Sequence, residues 1–355
     1  MVRFVKLACS AMILLLTVGA LTATASVGTR VRIMIEDRDQ IDVLTRIVSI
    51  DRVDDLEVLA FASPDQLERL RSDGWDVEVL PTTEPESTTM CAPGWVDDSN
   101  RTWDCYPSYP QYEALLQKLA TDHPGISRLE DLGPTTNQVR PHRIWALRIS
   151  DNPDIEENEP EVLLTSTMHG NEPLGFVLSL RLIDELLGGY GTDPQLTALV
   201  EDLELWVSPL TNPDGLYFAS DTDVSGAIRW MTDASGENSW VDANRNFPDP
   251  EDGDHPDGFA WWAETQIWMS FADDHSISLA ANLHGGSEVV NYPWDTWERR
   301  HVDEAWWVAV SRAYADRVHA VSPVDYLRDY NEGITNGFDW YSVSGGRQDF
   351  MTNFH

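Results

Sequence analysis

Residues Glu161-Val162-Leu163-Leu164-Thr165-Ser166-Thr167 form a short, nearly continuous apolar run, and His169-Gly170-Asn171-Glu172 follows it almost at once. Apolar side chains at both parities fit a central strand covered on both faces, not a strand with one side in water. Downstream, helical spacing predicts a long helix over 173–187 that ends at Gly188-Gly189. Strand patterns follow at 203–209 and 278–283, with helices near 262–272 and 302–320. Upstream, a strand is expected at 143–149. Before it, Ser108 and Gln111 form a capping box for a helix that buries Tyr112, Leu115, Leu116 and Leu119. Strands alternating with helices predict an α/β domain over 101–355, with a mixed, largely parallel twisted sheet and helices on both faces.

A smaller α+β unit is expected over 26–80. Val31, Ile33 and Ile35 alternate as in a half-buried strand, and Ile41, Leu44 and Ile47 share a helical face. A strand near 55–61 precedes Ser63-Pro64-Asp65-Gln66, which combines an N-cap serine, a first-turn proline and a capping glutamine. Gly74 ends that helix and a strand at 76–80 closes a βαβαβ unit. Residues 81–90 show no apolar periodicity, so 81–100 is expected to be a linker. Ahead of everything, Arg3 and Lys6, the apolar run 7–21 and Ala23-Thr24-Ala25 read as a cleavable secretory signal over 1–25. An uncleaved membrane helix is the alternative, although the run sits near the short limit for a span.

The 60 acidic residues against 24 basic ones give a formal net charge of −36. That balance excludes a nucleic-acid binder held by phosphate contacts and disfavours an anionic membrane surface. Cys9 would leave with the signal. Cys91 and Cys105 then suggest one disulfide in an oxidising compartment, extracellular or periplasmic, with two free thiols as the alternative.

His169 and Glu172 follow one strand and His284-Gly285-Gly286 follows another, where open α/β sheets place their ligand sites. Two imidazoles and one carboxylate are a known catalytic zinc set. Further motifs come in order: Asn212-Pro213-Asp214-Gly215, then Asp242-Ala243-Asn244-Arg245-Asn246-Phe247. After His284 come Asn291-Tyr292-Pro293-Trp294-Asp295 and Tyr341-Ser342-Val343-Ser344-Gly345-Gly346. Together these resemble the zinc carboxypeptidases of the funnelin (M14) family, most closely the branch with carboxypeptidases D, E and N, over about residues 105–355.

The resemblance implies that His169, Glu172 and His284 bind one Zn2+ and that Asp242 hydrogen-bonds one of the histidines. Asn244 and Arg245 would clamp a substrate's terminal carboxylate. Tyr341 would close over the bound residue, and Arg229 is the candidate for polarising the scissile carbonyl. Asp295 with Gln348 would form a pocket for C-terminal Arg or Lys. The expected partners are therefore peptide or protein C-termini, with no nucleic acid and no membrane after signal cleavage. The 26–80 unit would be a propeptide, inhibitory or chaperoning; an ordinary N-terminal subdomain is the alternative. In the family a glutamate general base lies beyond the tyrosine motif. Here Asp349 to His355 reads as the turn and approach into that strand, so the base is expected after residue 355. The alternatives are a non-catalytic zinc- and peptide-binding protein, or a cell-wall peptidase or deacylase on the same scaffold.

Overall fold

The computed structural model describes residues 28–81, 88–233 and 240–355, so the expected signal segment and most of the 81–90 connection lie outside the described residues. The N-terminal unit contains β1 (Thr29–Met34), β2 (Ser49–Asp54), β3 (Glu57–Ala62) and β4 (Asp76–Val79). Short helices, Ile41–Leu44 and Pro64–Ser72, connect β1 to β2 and β3 to β4. The strand order is β2-β3-β1-β4 and every pairing is antiparallel. This corrects the expected βαβαβ arrangement to a β-α-β-β-α-β unit with β3 inserted between β1 and β2.

The strand expected at 55–61 is the second arm of a hairpin. Its first arm, Ser49-Ile50-Asp51-Arg52-Val53-Asp54, has its alternation broken by an irregularity between Ile50 and Arg52, which hides the two-residue period. Asp55, at φ 54, makes the left-handed step of the turn. The helix Pro64–Ser72 starts as expected, with Gln66 N donating to Ser63 Oγ at 3.2 Å and Ser63 N donating to Gln66 Oε1 at 2.8 Å. Val31, Ile33, Leu44, Ile50, Val58 and Leu70 fill the core of this unit.

The larger domain is built on β5 (Ser127–Pro134), β6 (Arg143–Ile149), β7 (Glu161–Ser166), β8 (Glu204–Ser208) and β9 (Ile277–Leu283), in the order β5-β6-β8-β7-β9. The sheet is mixed. β7 pairs in parallel with β8 and β9, whereas β6 runs antiparallel to β5 and β8. Both faces are covered. Leu205 and Val207 join the cluster under helices Tyr109–Asp122 and Leu174–Gly189, while Leu163 and Trp206 face the helix Ala263–Asp274 on the other side. β5 escaped the sequence reading because it is an edge strand, rich in charge, with a bulge between Asp131 and Gly133.

A small parallel pair, β10 (Val290–Tyr292) and β11 (Ile334–Asn336), packs under the helix Glu304–Val321. Cys91 and Cys105 form a disulfide, tying the entry segment to the core beneath the helix Tyr109–Asp122. Residues Arg347–Phe354 form a helix, not the turn and strand approach expected from the sequence. Helical spacing lets Phe350 pack on Phe247, with ring centroids 5.2 Å apart, while Arg347 and Asp349 are buried beside it. Among the described residues, no helix is long and apolar enough to cross a membrane.

Candidate metal centre and substrate clamp

The site forms where β7, β8 and β9 end. Thr167, at φ 56, turns the chain out of β7, and Gly170 brings that loop against the next one. A Cβ at Gly170 would lie 2.2 Å from the Gly215 carbonyl carbon, so only glycine allows the approach. The Asn212-Pro213-Asp214-Gly215 motif is the buttress. Asn212 Nδ2 donates to Met168 O at 3.0 Å and Trp230 O at 3.1 Å, and Gly215 N donates to Asn212 Oδ1 at 2.8 Å.

This brings His169, Glu172 and His284 together, with ligand atoms all within 4.8 Å of one another. His169 Nδ1 lies 3.0 Å from Glu172 Oε1, and His284 Nδ1 lies 2.9 Å from Glu172 Oε2 and 3.2 Å from His169 Nδ1. The donor chemistry fits a divalent cation. His169 Nε2 lies 2.9 Å from Asp242 Oδ1; donation there leaves the Nδ1 lone pair facing the other two ligands. Burial alone would raise the Asp242 carboxyl, but His169 outweighs it, with help from Arg245 and Arg229, and holds it well below the usual range. The same Asp242 oxygen accepts Asn244 N at 2.8 Å, linking the metal loop to the Asn244-Arg245 segment.

Arg229 is buried beside the centre, its Nη1 donating to Glu172 Oε1 at 2.6 Å. Arg245 is buried too. Its Nη1 donates to Asn244 O at 2.8 Å, while Nε and Nη2 have no partner among the described residues. Buried guanidinium donors left unpaired are costly, and a ligand carboxylate would satisfy them. Asp295 and Gln348 meet as expected, with Gln348 Nε2 and Asn291 Nδ2 each donating to Asp295 Oδ1 at 2.9 Å. A Cβ on Gly337 would lie 1.7 Å from that oxygen, so glycine is required there. Burial pushes the Asp295 carboxyl up to about 6. Tyr341 is pushed up to about 12 by burial, against the pull of Arg245 and Arg229.

Sequence reasoning missed the contribution of the N-terminal unit. Ser49, the first residue of β2, donates its hydroxyl to Asp242 Oδ2 and accepts from Arg229 Nε at 2.6 Å. Asp51 reaches the His284-Gly285-Gly286 turn, where a Cβ on Gly286 would sit 3.5 Å from Asp51 Oδ1. Tyr341 packs on the N-terminal core and directs its hydroxyl at Ile50 O, 3.5 Å away. Around this contact, Arg46 pairs with Asp252 at 2.7 Å, Arg38 Nη2 donates to Trp340 O at 2.6 Å, and Tyr330 donates to Val53 O at 2.6 Å. β2 therefore lies across the metal centre. No sequence signal marks Ser49, a lone hydroxyl in an irregular strand.

Residues 112–355 match the family described as "Zinc carboxypeptidase" (Peptidase_M14). Rat carboxypeptidase D is 36% identical over 259 residues, which is 68% of this chain and 18% of that protein. The human carboxypeptidase N catalytic chain is 31% identical over 278 residues, 68% of this chain and 58% of its own length. This chain thus spans less than a fifth of carboxypeptidase D. Among solved structures, carboxypeptidase A from Helicoverpa armigera superposes with a TM-score of 0.67 at 18% identity, covering 92% of this chain and 85% of that one. Thrombin activatable fibrinolysis inhibitor gives a TM-score of 0.64 at 14% identity, covering 92% and 88%. At such identities these two show the fold alone, over a share of the chain that extends past the larger domain into the N-terminal unit. With the family match over most of its larger domain and the His169, Glu172 and His284 centre formed at its strand ends, the chain belongs to the zinc carboxypeptidase (M14) family.

Proposed function

We propose that this chain is the precursor of a secreted metallocarboxypeptidase that removes C-terminal Arg or Lys from peptides, with the N-terminal unit closing the site until the 81–100 connection is cut. The reading rests on one juxtaposition: a three-ligand centre beside a buried arginine, Arg245, whose Nε and Nη2 have no partner among the described residues. His169, Glu172 and His284 would hold zinc, which supplies Lewis acidity toward the scissile carbonyl and a water molecule. Arg245 and Asn244 take the terminal carboxylate, which restricts cleavage to the last bond. Arg229, once freed from Ser49, donates to the carbonyl oxygen as charge develops there. Asp295 and Gln348 meet a basic side chain, whose charge an anionic buried carboxylate favours over an apolar one. Tyr341, released from β2, covers the bound residue.

A second reading is binding without turnover. Its support is that the only carboxylates hydrogen-bonded to the three ligand side chains, among the described residues, are Glu172 itself and Asp242. One assay separates the two. The zinc-loaded chain, intact and cut within 81–100, is offered peptides ending in free Arg, free Phe and amidated Arg. Release of free arginine alone, increased by the cut, supports the peptidase. Tight binding of the free-Arg peptide with no release would select the second reading, and equal handling of the amidated peptide would remove both.

A further inference from the structure

Asn282, in the last turn of the pleat of β9, and His284, just past its end, stand two residues apart, the spacing that puts side chains on one face of a strand. They meet there: Asn282 Nδ2 lies 2.8 Å from His284 Nε2. This is the far nitrogen of the ring, since Nδ1 faces Glu172 and His169. His169 carries Asp242 on its own far nitrogen and is 2% exposed. The His284 side chain is 34% exposed and has Asn282 in the corresponding place.

The other end of the Asn282 amide is anchored as well. The parallel register sets Asn282 beside Thr165 of β7, and Thr165 Oγ1 lies 2.9 Å from Asn282 Oδ1 and 3.4 Å from Ala281 O. Thr165 is fully buried and accepts from Arg347 Nη1. Arg347 is 4% exposed, with its guanidinium carbon 4.9 Å from the centre of the Trp268 ring and its Nε and Nη2 without a partner among the described residues. A hydrogen-bonded chain thus runs from Arg347 through Thr165 and Asn282 to His284.

Its polarity bears on the metal centre. As placed, the amide turns Nδ2 to His284, which suits a ring whose Nδ1 carries the proton and donates to Glu172 Oε2. Ligation reverses this. A ligating Nδ1 offers its lone pair, so Nε2 carries the proton and needs an acceptor. An amide supplies one by turning over. Oδ1 then faces Nε2, and Nδ2 faces Thr165, whose oxygen accepts from both Nδ2 and Arg347 while its hydrogen turns to Ala281 O. No link from Arg347 to His284 is lost. The turn gives up only the contact of Nδ2 with Met168 Sδ, a weak acceptor, at 3.0 Å.

We propose that Asn282 is the positioning residue for His284: its side-chain oxygen accepts the Nε2 proton when Nδ1 ligates, and Thr165, held by Arg347, fixes the amide in that orientation. This rests on His169, Glu172 and His284 forming the metal centre, so the test must separate failure of the hold on His284 from failure of that reading.

Zinc affinity of the intact chain, read by competition with a chromogenic chelator, does so for the wild type, Asn282→Leu and Asn282→Asp, with circular dichroism to confirm folding. Leucine fills the space without an acceptor and should cost ~10–100-fold in affinity. Aspartate offers only acceptors to His284 and should match or exceed the wild type. Unchanged affinity in Asn282→Leu, or a loss in Asn282→Asp as large as in Asn282→Leu, overturns the proposal while leaving the centre intact. A wild type that takes up no stoichiometric zinc removes the centre, and the proposal with it. Should Asn282→Leu not fold, nitrogen-15 NMR of the zinc-loaded wild type decides. A slowly exchanging Nε2 proton on His284, close in space to the Asn282 side chain, supports the proposal, and a His284 ring without that proton overturns it.

Discussion

Arg229 Nε donates to Ser49 Oγ across 2.6 Å, although 180 residues separate them in the chain, and the same hydroxyl donates to Asp242, which holds His169. A single side chain of the N-terminal unit thus ties the proposed oxyanion arginine to the support of a candidate metal ligand, and on the proposed function docking and catalysis would compete for the same groups.

Cutting the 81–100 connection and loosening the dock should therefore raise activity. Arg46→Glu turns the 2.7 Å pair with Asp252 into a repulsion, and as a partly exposed pair it should weaken docking by only about 1 kcal/mol. Ser49→Ala removes both buried hydrogen bonds and should act more strongly. Initial rates on a C-terminal Arg peptide, for the wild type and both variants before and after the cut, check this; equal rates in all six samples would show that the N-terminal unit does not block the site.

Metal content should depend on Asp242 as well as on the ligands. His169→Ala and Glu172→Gln each remove a donor from the three-atom set and should abolish stoichiometric zinc. Asp242→Asn keeps the shape but weakens the hold on the His169 ring, and should cost ~10–100-fold in zinc affinity. Competition with a chromogenic chelator reads this directly, with circular dichroism to confirm folding. An unchanged affinity in Asp242→Asn would separate that residue from the metal site.

Replacing Arg245 by Ala removes the donors Nε and Nη2, which have no partner among the described residues. Losing charge-assisted bonds worth about 1.5–3 kcal/mol should lower kcat/KM ~10–100-fold for peptides with a free C-terminal Arg, with circular dichroism to confirm folding. An unchanged kcat/KM in the folded variant would remove Arg245 from the clamp.

The preference for C-terminal Arg should weaken below about pH 6, where Asp295 takes up a proton and the pocket loses its negative charge. The sign follows from a carboxyl raised by burial: it is anionic above that value and neutral below it. The ratio of kcat/KM for Arg and Leu peptides from pH 5 to 8 measures this. In Asp295→Asn the ratio should be small and flat. A wild-type ratio constant over the whole range would contradict an ionising pocket.

The main architecture could be read from local pattern. The apolar run of β7, the capping boxes at Ser63 and Ser108 and the helical spacing of Leu115, Leu116 and Leu119 all report backbone geometry, which repeats every two or 3.6 residues and so leaves a periodic trace. Elements whose trace was broken went unread. β2 has an irregular register, β5 is a charged edge, and the helix Arg347–Phe354 buries charged and apolar residues together.

The sequence by itself named His169, Glu172 and His284 as candidate metal ligands, because imidazole and carboxylate are ligand chemistry in any fold and the ordered motifs around them resemble those of the zinc carboxypeptidases. It also supplied the candidates for the clamp and pocket. Only the tertiary structure decided that Ser49 closes on Asp242 and Arg229, and that Asp295 shares its buried surroundings with Asp349. Those contacts join segments far apart in the chain through single hydroxyls and carboxylates. Their strength comes from burial, and burial exists only once those distant segments have packed together.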